Sequence, residues 1–134
     1  GLKNFITAIQ SERVLAAFLS TYKFLIVMVP MCLILSMIIA LVVNKLPRFK
    51  GLYLVLFFLP YLSSGVVSSL IVKGFLSYDS PLNTFLRNSF GLKVDWLGNS
   101  VTVIFVISFM IAWKMSGYYA MILVSGLNNI EPSV

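Results

Sequence analysis

Two short polar groups stand inside otherwise apolar sequence, and any chemistry in this chain must sit there. The first follows Pro60 and comprises Tyr61, Ser63, Ser64, Gly65, Ser68 and Ser69. The second is the run Trp113, Lys114, Met115, Ser116, Gly117, Tyr118 and Tyr119. Aromatic faces beside hydroxyls suit a sugar-binding cavity, because C–H faces stack on rings while hydroxyl groups need donors and acceptors. The serines after Pro60 suit close helix packing equally well. A lysine at a bilayer centre costs roughly 2.5–3.5 kcal/mol, so Lys114 faces a water-filled path or a partner, or its stem carries the ammonium to an interface.

Other chemistries lack their residues. There is no His, which removes the commonest general base and metal ligand, and the one cysteine, Cys32, lies in an apolar run. No carboxylate pair falls inside the apolar blocks, no glycine loop could cradle a phosphate, and G-x-x-x-G does not occur. The chain is expected to be no enzyme and to carry no cofactor or metal.

The elements that must hold these groups follow from composition. Of the 134 residues 60% are apolar and 10% charged, with mean hydropathy +1.00; soluble domains carry about 25% charge. The net charge of +6 comes from basic residues standing singly beside apolar blocks, so nucleic-acid binding gains no support. Phe24–Val43 and Leu52–Val72 contain no charge, and Val101–Leu127 contains only Lys114. Each block reaches the ~30 Å of a hydrocarbon core at about 1.5 Å per residue, and each must be helical because lipid offers no backbone partner. The pattern predicts an all-α membrane protein: 1–134 is part of one transmembrane domain, with three transmembrane helices near 22–44, 52–74 and 100–127. Pro30, set in pure hydrocarbon, reads as a plain kink, whereas Pro60 opens the first polar group.

Loop 44–51 carries Lys45, Arg48 and Lys50, while loop 75–99 spreads its basic residues among Asp79 and Asp95. The positive-inside rule puts the short loop in the cytoplasm and the long one outside. Leu2, Phe5, Ile6 and Ile9 fall at helical spacing and predict a short interfacial helix. Asp79-Ser80-Pro81 supplies a cap with proline at the first helical position, Gly91 a stop, and Leu82, Phe85 and Leu86 a stripe between them. Tyr78 and Trp96 suit the headgroup level.

The order of features is also distinctive. Gly1-Leu2-x-Asn4-Phe5 is followed by Leu41–Asn44, a basic loop, Leu56-Phe57-x-Leu59-Pro60 and Asn83. Val94-Asp95-Trp96-Leu97, Trp113-x-x-x-Gly117-Tyr118 and Gly126-Leu127-Asn128-Asn129-Ile130 complete the set. This resembles the permease subunits of binding-protein-dependent ABC importers, carbohydrate type, related to maltose, glycerol-phosphate and multiple-sugar permeases. The resemblance implies a larger MetI-like permease fold with short extracytoplasmic helices, multi-pass in a bacterial-type cytoplasmic (inner) membrane. It implies half of an alternating-access pathway for a sugar. The implied partners are a second permease subunit, cytoplasmic ATPase subunits, an extracytoplasmic solute-binding protein and the lipid bilayer.

In such relatives a Tyr directly after Leu-Pro binds sugar, and Tyr61 matches it; four positions on, Gly65 stands where they carry a hydroxyl. On the third helix the matched positions are Ala112, Met115 and Ser116. The candidate substrate-binding set is therefore Tyr61, Ser64, Gly65, Trp113, Lys114, Met115 and Ser116, with Pro60 and Gly117 as bending points. The resemblance also implies that the chain is a segment ending, at Glu131-Pro132-Ser133-Val134, just short of an E-A-A-x-x-x-G coupling loop. Alternatives are a permease for a non-sugar solute, a secondary transporter with inverted repeats, and a structural membrane protein.

Overall fold

The apolar blocks become helix, the conformation that satisfies each backbone N–H and C=O within its own segment, except at one break in the second block. The computed structural model describes residues 1–129. They form α1 (Lys3–Ile9), α2 (Glu12–Lys45), α3 (Lys50–Leu62), α4 (Gly65–Leu76), α5 (Pro81–Phe90) and α6 (Ser100–Asn128). Ile130 and the Glu131–Val134 approach to the expected coupling loop lie outside the described residues.

α2 begins ten residues before the expected start at 22 and runs for 34 residues, about 51 Å at 1.5 Å per residue. Glu12 in its first turn and Lys45 in its last complement the helix dipole. Pro30 lies inside α2 without dividing it.

α2 packs most extensively on α6. Cys32, Ser36, Ala40 and Val43 are buried on α2, and Ser108, Ala112, Ser116, Ala120 and Val124 on α6. Both rows repeat about every four residues, so each is a single stripe, and small side chains let the two backbones approach closely. The helices run parallel: Cys32 shares surroundings with Ile111 and Met115, and Ala40 with Ala120 and Val124. α3 runs the opposite way, with Leu54 beside Ala40 and Val124 and Phe57 beside Gly117. A methyl group at Gly117 would overlap the Phe57 carbonyl oxygen, so only glycine permits this approach. α6 is continuous through Gly117; the residue expected to be a bending point is a close-packing point.

The single helix expected over 52–74 is instead two. α3 ends at Leu62, Ser63 and Ser64 are both extended, and the following stretch Gly65–Phe90 is bent by 92° from α3. Pro60 cannot donate to Leu56 O, which weakens the last turn of α3, and Ser64 caps the new start by accepting from Val67 N at 3.2 Å. α2 and α6 are each long and apolar enough to cross a membrane, and α3 with α4 adds a third, broken span if the pair is counted as one.

At the other end α5 has the expected signals. Ser80 Oγ accepts from Asn83 N, Pro81 occupies the first turn, and Gly91 closes the helix at φ 68°. Asn83, fully buried, ties the following loop to it. Its Nδ2 donates to Tyr78 O (3.1 Å) and Val94 O (2.8 Å), and its Oδ1 accepts from Val94 N (3.2 Å) and Trp96 Nε1 (3.1 Å). Lys93 pairs with Asp79 at 3.2 Å and lies 3.5 Å from the Tyr78 ring centroid.

Candidate functional site

The break between α3 and α4 faces the middle of α6, and the two polar groups meet there. Lys114 Nζ donates to the Ser63 carbonyl at 2.6 Å. One turn further along α6, Tyr118 stacks on Tyr61, with centroids 5.1 Å apart and planes at 16°. Phe58 extends the stack beyond Tyr61, with centroids at 5.2 Å, and Tyr119 meets Tyr118 edge-on at 5.3 Å and 70°. Lys114, Gly117 and Tyr118 thus form the α3-facing strip of α6, at i, i+3 and i+4.

The break itself is a knot of serines. Ser63 N–H and Oγ both donate to Pro60 O (3.2 and 2.7 Å), Ser63 and Ser68 hydroxyls lie 2.9 Å apart, and Ser68 Oγ donates to Ser64 O at 3.1 Å. Ser64 is exposed; its Oγ accepts from the backbone, so its O–H proton is left to donate outward. Space opens next to it, because a Cβ on Gly65 would meet nothing within 4 Å.

The remaining candidates point elsewhere. Trp113 lines an apolar cleft of about 580 Å³ with Ile71, Phe75, Trp96, Phe105 and Phe109. Met115 lines a second apolar hollow with Cys32, Leu33 and Tyr119 on the α2 side. Ser116 is buried in the α2–α6 seam and its hydroxyl donates to Trp113 O at 2.8 Å. The structure therefore brings Tyr61, Ser64, Gly65 and Lys114 to one place, sets Trp113 in the apolar cleft, and turns Met115 and Ser116 toward α2. Among the described residues no group of three or more His, Cys, Asp or Glu could hold a metal.

Sequence reasoning missed two features. The Ser63 carbonyl accepts from Lys114, and only tertiary structure reveals a backbone partner 51 residues away. The α2–α6 seam was legible as small residues every fourth position, Ser108, Ala112, Ser116 and Ala120, although G-x-x-x-G is absent.

No protein-family model matches the chain. The lactose transport system permease protein LacF of Rhizobium radiobacter is 31% identical over 119 residues, covering 86% of this chain and 40% of that protein. The maltose/maltodextrin transport system permease protein MalF of Photorhabdus laumondii is 31% identical over 139 residues, covering 98% of this chain and 26% of its own length. Along most of its length this chain is a relative of transport-system permease proteins. The sn-glycerol-3-phosphate transport system permease protein UgpA of Yersinia pestis aligns with 100% of the chain at 28% identity, over 45% of its own length. The chain thus spans less than half the length of each of these permeases. Its helices fit a multi-pass membrane protein, and these relatives are transport permeases, not enzymes.

Proposed function

We propose that this permease chain forms half of the alternating-access pathway of an ATP-driven sugar importer. In this reading the chain sits in a bacterial-type cytoplasmic membrane beside a second permease subunit. ATP is hydrolysed by separate cytoplasmic subunits, and an extracytoplasmic binding protein delivers the solute. Loop 44–51 lies in the cytoplasm and loop 75–99 outside.

One observation carries the reading: the stacked Tyr61–Tyr118 pair lies beside an open, polar helix break in an otherwise apolar bundle. Tyr61 offers a ring edge and a hydroxyl, Ser64 a free O–H, and Gly65 the room for a sugar ring. Lys114 supplies the charge at the side of the site. Broken spans at a polar midplane are where transporters expose backbone to a cavity instead of to lipid.

The test is uptake by the intact transporter with its binding protein, using a panel of labelled mono- and disaccharides and a sugar phosphate. Tyr61→Ala is expected to impair uptake of the transported solute at limiting concentration while leaving subunit assembly intact. Undiminished uptake would remove Tyr61 from the pathway.

A further inference from the structure

At the break, helical hydrogen bonds are exchanged for a different set. In an unbroken helix Ser63 O would accept from Val67 N; here Val67 N goes to Ser64 Oγ at 3.2 Å. The Ser63 carbonyl is left to Lys114, at 2.6 Å from across the bundle. Both members need this contact, since a lysine and a carbonyl without partners are each costly in a membrane interior. If α3 and α4 straightened, Ser63 O would return to Val67 N and Lys114 would lose its acceptor.

We propose that Lys114 is a positioning residue that latches the bend between α3 and α4. Through α3 it holds Tyr61 against Tyr118. Glu12, Asp79 and Asp95 all lie outside the apolar blocks, so Lys114 has no carboxylate beside it in those blocks. A carbonyl acceptor can be released without separating an ion pair, which suits a joint that opens and closes. α4 touches α6 far less than α3 does, so beyond the serine bonds at the break itself little fixes its direction. The bend stands independently of the sugar-import reading; only its consequence for uptake rests on that reading.

The full chain, in a Cys32→Ser background and reconstituted in lipid nanodiscs, would carry spin labels at Val55→Cys on α3 and Leu70→Cys on α4, both exposed sites. A control pair at Ile38→Cys and Ile122→Cys reports the α2–α6 pair. In Lys114→Met the ratio of long, straightened distances to short ones is expected to rise about tenfold, equivalent to ~1.4 kcal/mol. Lys114→Arg, which keeps charge and donors, should retain the short distance.

A Met variant with the parent distance distribution and an intact control pair would overturn the latch, as would an Arg variant as dispersed as Met. If the control pair disperses in Met, Lys114→Gln replaces it and is judged the same way. Uptake separates the two readings. An unchanged bend with weakened uptake makes Lys114 a solute contact and sinks the latch. A changed bend in a chain whose parent transporter imports no sugar leaves the latch and removes the sugar reading.

Discussion

Tyr61 on α3 and Tyr118 on α6 stack nearly parallel, 5.1 Å between ring centroids. Such a pair contributes about 0.5–1.5 kcal/mol beyond the area it buries, and here it joins the two elements that carry the candidate site. Tyr118→Ala is therefore expected to impair uptake, through the loss of Tyr61's support. Tyr118→Phe keeps the ring and should transport close to normally. Combining Tyr61→Ala with Tyr118→Ala should cost less than the sum of the two single changes in a thermal-unfolding assay of the purified transporter. Strict additivity would mean that the rings do not cooperate.

The two glycines near the site should respond oppositely to one methyl group. At Gly117 a Cβ would overlap the Phe57 carbonyl oxygen and the backbone beyond it, whereas at Gly65 it meets open space. Overpacking of this kind costs about 1–3 kcal/mol, and here rigid backbone must shift. Gly117→Ala should lower the yield of folded transporter and its unfolding temperature. Gly65→Ala should leave both unchanged and affect uptake only. Equal thermal stability of the two variants would contradict the close approach of α3 to α6.

How far this architecture can be read from the sequence differs from element to element. The charge-free runs dictated helix, and Asp79-Ser80-Pro81 with Gly91 marked both ends of α5, although Ser80, not Asp79, makes the cap. Pro60 marked the place where the second block fails but not how far it bends. A proline can kink a helix or end one, and the outcome here goes with a donor, Lys114 Nζ, that α6 supplies to the Ser63 carbonyl. The grouping of Lys114 with Ser116 overlooked helical phase: two residues subtend about 200°, so they must face opposite ways. Lys114 turns to α3 and Ser116 to α2. Asn83 stood out only as part of a familiar pattern, because a buried amide's partners are set by the loop that wraps it.

Transmembrane orientation follows from joining the chain's basic residues to its helix directions. α2 and α6 run parallel and α3 opposes them, so the α2–α3 turn with Lys45, Arg48 and Lys50 lies at one end and the α4–α6 connection at the other. Single cysteines at Arg48→Cys and Ser77→Cys, in a Cys32→Ser background, are the probes. On intact cells a membrane-impermeant maleimide should label position 77 and spare position 48 until the membrane is opened. The reverse pattern would invert the assignment of inside and outside.

Asn83 should govern the order of the outer segment. Its buried amide is the common partner of Tyr78 O, Val94 N, Val94 O and Trp96 Nε1, so one side chain fixes α5, the following strand-like loop and an aromatic that lines the apolar cleft. Asn83→Ala removes every one of these bonds, and each buried group left unpaired costs about 1–3 kcal/mol. Asn83→Asp is subtler: it keeps Oδ1 to accept from Val94 N and Trp96 Nε1 but turns an acceptor toward the Tyr78 and Val94 carbonyls. Both variants should speed amide hydrogen exchange across residues 77–99 while exchange in α2 and α6 stays slow. With Trp113→Phe present to isolate its signal, Trp96 emission should move to the red in both variants, further in Ala than in Asp because Asp retains the indole's acceptor. A Trp96 spectrum and exchange pattern in Asn83→Asp equal to those of the parent would show that the amide's donor side contributes nothing and that the loop is held by its apolar contacts alone.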